Sequence, residues 1–414
     1  MLVKPTLDES EVEIGEQRGA MPANRIGNGV KMRDLIFVSL EDWDDVWRRN
    51  QFLCAALARR FPEIKILFVG LPRNVSNDLR RGNLRALRNE ATTRLADFPN
   101  ITVTHALKLL PDSITAGRLI NQAMARNHVW QTAAKLGMRN PLLWLNPHSA
   151  VHMAGTMNER AVIYDITDDW AMAPSFSERD RKLIVEQDRA LCERADLVIV
   201  CSESLEASRR GRCKDLLLLK NGVDNEQYAG IPDSPQRGKW PGPVFGYTGT
   251  IHGDRFDVDL VAALAAAFPE GSVVLVGPDH LTANEREKLA AYRNVHITGP
   301  VAYAQIPAVM SHFDVCIVPH VETKFTNSLN PLKLWEYLAS GKPVVSTNVA
   351  GFASYPHFCK IASTAGAFVE ACREALREDG AHRATRRAEA RKHGWEQRVD
   401  VLLGTLSSKG LIQA

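Results

Sequence analysis

The chain has 414 residues, enough for two domains of ordinary size, and its 45% hydrophobic and 24% charged residues are typical of a folded soluble protein. A net charge of +3 is too small to argue for a nucleic-acid partner. The seven cysteines are scattered and form no C-x-x-C pair, which argues against a zinc site or a disulfide framework and suggests a reducing, cytoplasmic setting.

Residues 1–31 mix Glu, Gly, Pro and Asn without an apolar core, so they read as a flexible leader, not a secretory signal. No apolar run approaches the roughly 20 residues that span a bilayer. A first block then alternates strand and helix signals. Short apolar strands are expected at 35–39, 64–69, 101–104, 142–145, 161–164 and 196–200, with a helix pattern over 43–60. The clearest helix runs from a Ser177 cap to Arg194. A Pro/Gly-rich connector, 230–243, leads into the second block. Its expected strands are 244–248, 272–276, 295–298, 314–318 and 343–346. Its expected helices are 258–268, 284–292, 305–311 and 331–340. Near-continuous apolar strands between helices predict parallel sheets covered on both faces. The fold class is therefore α/β, with two doubly wound Rossmann-like domains. Ligands in such sheets bind outside the carboxyl ends of the strands, so the interdomain cleft is the expected site.

The stretch 327–346 reads Asn-Ser-Leu-Asn-Pro-Leu-Lys-Leu-Trp-Glu-Tyr-Leu-Ala-Ser-Gly-Lys-Pro-Val-Val-Ser. A helix is expected to open at Pro331, where a missing N–H costs nothing, and to stop at Gly341. Free N–H groups at Ser328, Leu329 and Asn330 would favour an anion such as a diphosphate. Lys333 and Glu336 fall near one face of that helix. Lys333 is either a phosphate contact or an ordinary surface lysine. A carboxylate at Glu336 could hold a pair of sugar hydroxyls.

This stretch resembles the donor signature of GT-B nucleotide-sugar glycosyltransferases, especially the retaining Glu-x(7)-Glu group that includes many bacterial polysaccharide enzymes. In that group the motif ends in a run like Glu-Tyr-Leu-Ala-x-Gly-x-Pro-Val-Val. Glu336 matches the second glutamate, which implies a ribose contact. Ser328 stands where the first glutamate contacts the donor sugar, so the stereochemical outcome stays open. Segments 195–205, 219–224, 245–252 and 294–300 also resemble family elements, in family order: the last strand of the first domain, the Asn-Gly-Val-Asp turn, the phosphate loop and the base-binding turn that includes Gly299. Segment 393–399 resembles the tail helix that returns to the first domain. The resemblance implies a leader at 1–31, an acceptor domain at 32–228, a nucleotide-sugar domain at 229–392 and a returning helix at 393–414.

In the phosphate loop, Gly249 permits close backbone approach. Thr250 stands at the family's Arg position and Arg255 at its Lys position, which leaves Arg255 as the matching cation. His252 is either a further diphosphate donor or a surface histidine. On the acceptor side, Glu41, Asp42, Asp44 and Asp45 crowd an expected helix start, where the helix dipole favours negative charge. A similar entry segment in some bacterial polysaccharide glycosyltransferases implies that Arg48, Arg49 and Gln51 border the site. Asp165, Asp168 and Asp169 follow another strand. They either cap a turn or position and deprotonate an acceptor hydroxyl. If the enzyme inverts, Asp44 or Asp168 would serve as the base, and if it retains, no dedicated base is required; Asp169 is an acceptor-side candidate and His148 a lesser one.

The expected function is sugar transfer from a UDP- or GDP-linked donor to a glycan or lipid-linked acceptor, in bacterial exopolysaccharide or cell-surface glycan synthesis. No cofactor is expected. Asp-x-Asp patterns at 42–44 and 257–259 are too short to imply a required metal. The basic, leucine-faced stretch 79–88 either lies on an anionic inner-membrane surface or is a solvated helix, and the run 383–392 reads as a solvated helix face. The alternatives are a nucleotide-sugar 2-epimerase on the same fold, or a non-catalytic glycan-binding or scaffold relative.

Overall fold

The computed structural model describes residues 32–74, 92–173 and 176–412. The expected leader 1–31 and the basic stretch 79–88 lie outside the described residues.

The first sheet has eight strands: β1 Asp34–Val38, β2 Lys65–Asn74, β3 Thr92–Arg94, β4 Ile101–Lys108, β5 Leu142–Leu145, β6 Ala161–Ile166, β7 Leu197–Val200 and β8 Leu216–Leu218. Their order is β3-β4-β2-β1-β5-β6-β7-β8, parallel except where the edge strand β3 runs against β4. The central strands are apolar throughout because both sheet faces are covered. Leu35 and Phe37 pack under the Arg49–Arg60 helix, while Ile36 and Val38 pack on the opposite layer with Val129 and Leu191. The short strands β3 and β8 were not expected, being brief and largely polar or unpunctuated in sequence.

A second sheet contains β9 Val244–Thr248, β11 Ser272–Val276, β13 Val295–Gly299, β14 Val315–Val318, β15 Val344–Ser346 and β16 Lys360–Ile361, all parallel, in the order β13-β11-β9-β14-β15-β16. A two-stranded pair, β10 Ile251–His252 with β12 Asp279–His280, sits beside it. The helix Trp395–Ser408 returns to the first sheet. Trp395 stacks on Phe52 at 5.0 Å, and Val399, Leu402, Leu403 and Leu406 join that sheet's core. No helix among the described residues is long and apolar enough to cross a membrane.

Two expectations need correcting. The helix read over 43–60 begins only at Arg49. Before it, the chain is held irregular by contacts that sequence spacing does not reveal. Asp42 accepts the Leu71 N–H at 2.8 Å, Asp44 accepts the Val46 N–H at 2.9 Å, and Trp43 packs edge-on against Phe68. The four carboxylates therefore sit in a loop, and the helix's first turn carries no acid. The run 383–392 is a helix, Ala381–Arg391, but two of its arginines are not solvated. Arg386 is buried against Glu378 and donates to the carbonyls of Phe358 and Gly341. Arg387 donates to the carbonyls of Ile231 and Ser340. Together they neutralise the carbonyl end of the helix Leu332–Ser340, where cations are favoured.

Candidate active site

The carboxyl ends of both parallel sheets open into one interdomain cavity of about 300 Å³. Its second-domain wall begins with the helix Leu332–Ser340. Leu334, Trp335, Tyr337 and Leu338 are buried, which leaves Lys333 and Glu336 to line the cavity. Pro331 is the extended residue just before the helix, and Gly341 ends it in the left-handed conformation at φ 77°. The Tyr337 hydroxyl accepts the Thr248 N–H at 2.8 Å, pinning this helix to the end of β9. The loop after β9 comes close because of two glycines. Gly249 has φ 135°, and a side chain there would press on the Lys333 ammonium. Gly277 has φ 146°, and a side chain there would collide with the Gly249 carbonyl.

Three groups on this wall carry unusual electrostatics. The Lys333 ammonium lies 4.8 Å over the Tyr247 ring and 3.3 Å from its hydroxyl, with no carboxylate partner among the described residues. The Arg255 guanidinium sits 5.9 Å over the Phe325 ring, and its Nε has no hydrogen-bond partner among the described residues. Burial pushes the Glu336 carboxyl up to about 7, against the pull of Lys333 and the nearby Tyr228 hydroxyl. His320, buried 3.1 Å from the Tyr247 hydroxyl, is held well below its ordinary range by burial and by Lys333 and Arg255. It is therefore neutral at physiological pH. The wall thus offers two uncommitted cations beside neutral hydrogen-bonding groups.

The first-domain wall comes from two loops. After β6, Asp168 lines the cavity. Burial raises its carboxyl above the ordinary range, partly offset by Arg255 and by the Thr167 hydroxyl. Asp165 is fully buried. It pairs with Arg49 through two bonds of 3.1 Å, and Arg49 also donates to the Leu219 carbonyl and Asn221 Oδ1. The Asn221 N–H donates to Asn330 Oδ1 at 2.9 Å, so the chain crosses between domains through this network. On the other loop, Glu41 and Arg48 line the cavity with their charged groups 3.6 Å apart.

The structure gathers Asp168, Gly249, Thr250, Arg255, Leu329, Asn330, Lys333, Glu336 and Arg48 around one cavity. Six other expected site residues fall outside its lining, each for a physical reason. Asp44 is exposed, and its oxygens are engaged by Arg48 and the Val46 N–H. Gln51 is fully buried, exchanging hydrogen bonds with the Arg48 N–H and the Asp44 carbonyl as a helix cap. Asp169 pairs with Arg209. His252 accepts the Asp254 N–H and packs beside His280. Gly299 turns the chain at φ 77°, leaving Pro300 and Val301 to line the cavity. Ser328 points inward, its hydroxyl donating to the Phe325 carbonyl at 2.7 Å, while its own carbonyl accepts the Ser202 hydroxyl. His148 bonds Gln187 and also lies outside this cavity. Sequence reasoning left out Tyr303, Trp170 and His320, which line the cavity. Tyr303 and His320 follow the ends of β13 and β14, where no motif spacing signalled them, while Trp170 sits two residues after Asp168 in the same loop.

Residues 242–378 match the family model described as "Glycosyl transferases group 1". A relative named as a putative teichuronic acid biosynthesis glycosyltransferase, TuaH from Bacillus subtilis, is 30% identical over 254 residues. The match spans 56% of this chain and 64% of that protein. The chain therefore matches somewhat under two thirds of that relative's length. Among solved structures, HepE from Anabaena in complex with UDP-glucose aligns over 91% of this chain and 99% of its own, with a TM-score of 0.63 and 18% identity. A structure described as trehalose-6-phosphate from E. coli bound with UDP-2-fluoro glucose aligns over 92% of this chain and 100% of its own, with a TM-score of 0.62 and 11% identity. At these identities the likeness is one of fold. Residues 242–378 are thus similar to a group 1 glycosyl transferase domain, and the chain shares the fold of these solved structures.

Proposed function

We propose that the protein transfers a sugar from a nucleoside diphosphate donor, most readily a UDP-sugar, to an acceptor hydroxyl in the synthesis of a bacterial surface polysaccharide. The observation that carries this reading is the pairing across one cavity of two uncommitted cations, Arg255 and Lys333, with first-domain carboxylates. Charge grows on a departing diphosphate, and preorganised cations in an enclosed site stabilise it. Glu336, on the second turn of the helix, is placed to accept hydrogen bonds from the ribose hydroxyls once ionised. The start of that helix supplies N–H groups for the phosphates, and Gly249, whose own N–H donates to the Val276 carbonyl, lets the loop backbone come close. In this reading the acceptor enters from the first-domain side, past Asp168 and Arg48. Two names support the choice of donor and pathway: the UDP-glucose complex of HepE and the teichuronic acid assignment of the Bacillus relative. The cations make a metal unnecessary. A glycan or lipid-linked acceptor at the cytoplasmic face of the membrane fits such a pathway.

The test is donor consumption. Purified protein is incubated with a panel of UDP- and GDP-sugars, with and without extracts of surface glycan and lipid-linked sugars, and with or without EDTA. Acceptor-dependent release of UDP, unaffected by EDTA, is the expected result. Donor turnover without acceptor that yields a C2 epimer would favour the epimerase reading instead, and binding without turnover would favour a scaffold.

A further inference from the structure

We propose that Ser202 and Asn221 are positioning residues for the donor diphosphate: they hold the carbonyls of Ser328 and Asn330 and so turn the N–H groups of that segment into the cavity. This inference rests on the transferase reading above. The segment leads from a short 3-10 turn, Thr326–Ser328, into the helix Leu332–Ser340. The turn closes on itself, with the Ser328 N–H and hydroxyl both donating to the Phe325 carbonyl. Beyond it, the carbonyls are taken by groups that come from outside the second domain. The Ser202 hydroxyl, just after β7, donates to the Ser328 carbonyl at 2.7 Å, and both residues are buried. The same hydroxyl accepts the Leu205 N–H at 3.3 Å, so its direction is fixed. Asn221 donates from Nδ2 to the Asn330 carbonyl and from its N–H to Asn330 Oδ1.

Asn221 is itself anchored. Its Oδ1 accepts Arg49 at 3.0 Å, and Arg49 is paired with the buried Asp165. Its carbonyl accepts the Arg398 Nε at 3.2 Å, from the helix that returns to the first sheet. The N–H, carbonyl and both side-chain groups of Asn221 are thus all committed. The segment before the donor helix is fastened to a buried ion pair of the other domain.

The consequence follows from peptide geometry. A planar trans peptide points its N–H opposite to its C=O. With the Ser328 carbonyl on Ser202, the Leu329 N–H is directed the other way. With the Asn330 side-chain oxygen on Asn221, its NH₂ is likewise turned away. The Leu329 N–H, the Asn330 N–H and Asn330 Nδ2 donate to nothing among the described residues, and both residues line the cavity that Arg255 and Lys333 share. Donors placed in advance bind an anion without a further cost of ordering them. Released from the two ties, these peptide units are free to turn, and a carbonyl that faces a phosphate repels it.

The experiment compares wild type, Ser202→Ala and Asn221→Ala by calorimetry with UDP and with uridine, or with GDP and guanosine where the wild type binds those instead. The nucleoside lacks the diphosphate, so the ratio of the two affinities isolates the diphosphate contribution. Each variant is expected to weaken nucleotide binding about 3–10-fold, the factor that one net hydrogen bond is worth, and to leave nucleoside binding unchanged. Ser202→Ala alone decides the outcome should Asn221→Ala, which removes a partner of the buried Arg49, fail to fold. A wild-type ratio in the variants overturns the proposal. Equal falls in nucleotide and nucleoside affinity also overturn it, because a merely structural role weakens the whole site alike. A wild-type protein that binds neither nucleotide defeats the donor reading itself.

Discussion

The two walls of the cavity are built in opposite ways. The second-domain wall is nearly contiguous in sequence: Lys333 and Glu336 share one short helix, fixed at both ends by Tyr337 and by Arg386 and Arg387. The first-domain wall is assembled from loops 40–48 and 167–170, whose positions depend on partners far away in sequence, as in the Tyr303–Asp45 and Leu40–Asn146 bonds. A wall on one regular element can be read from a local pattern of residues. A wall of loops depends on which distant groups satisfy the backbone, and no local pattern records that.

That contrast sets what was legible in advance. The parallel sheets, the positions of β9, β11, β13, β14 and β15, and the Ser177-capped helix follow from apolar runs and caps. The Ser177 hydroxyl does accept the Asp180 N–H. Glu336 and Lys333 follow from helical spacing. The loop 40–48 was misread because a Trp/Asp-rich stretch before a helix resembles a helix start. The acids there instead satisfy N–H groups of a neighbouring strand and turn. Asp44 was favoured over Glu41 for the same reason: sequence order cannot say which of four adjacent carboxylates faces a cavity. Arg386 and Arg387 looked solvated because their partners are carbonyls of another helix, which side-chain chemistry alone does not reveal.

The comparison can be tested by loosening each wall in turn. The largest effect is expected at the first-domain wall, from Asp165→Asn. It leaves the buried Arg49 guanidinium without its counter-charge, and breaking a buried pair from one side costs roughly 3–5 kcal/mol. Urea unfolding should show a fall of that size. A fall below about 1 kcal/mol, within the range of exposed ion pairs, would mean that the linker carbonyl and Asn221 suffice to hold Arg49.

On the second-domain wall, Arg255→Ala should lower kcat by about 10²–10³-fold, the usual cost of one transition-state charge donor, with a smaller change in donor affinity. Steady-state kinetics with an equal loss in both would make Arg255 a binding residue only. Glu336→Ala should weaken UDP binding by about 1.5–3 kcal/mol, the worth of a charge-assisted hydrogen bond. The wild-type affinity should also depend on pH. Glu336 is raised to about 7 in the folded protein, so it is ionised, and able to hold the ribose, only as pH rises through that value. UDP affinity is therefore expected to increase from pH 6 to pH 8, and the Ala variant should lose that dependence. The same shift bears on stability. A carboxyl raised on folding contributes stability below its unfolded value near 4.5 that is lost as pH rises through about 7.

The smallest effect is expected at Asp44, where sequence order and surroundings point in opposite directions. Asp44 follows the same strand as Glu41 and lies only three residues further on, so by sequence order it is an equally good candidate. Its surroundings differ. Its carboxylate is 45% exposed, pairs with Arg48 four residues on, and accepts one N–H within its own turn. Such a pair contributes at most about 1 kcal/mol, because water screens both charges. Asp44→Asn keeps an oxygen for the Val46 N–H, so the loop should hold its shape and stability should move by no more than about 0.5 kcal/mol. Turnover and its pH profile should match wild type. A large loss of turnover in Asp44→Asn with donor affinity intact would show that the loop rearranges when acceptor binds and brings Asp44 into the cavity.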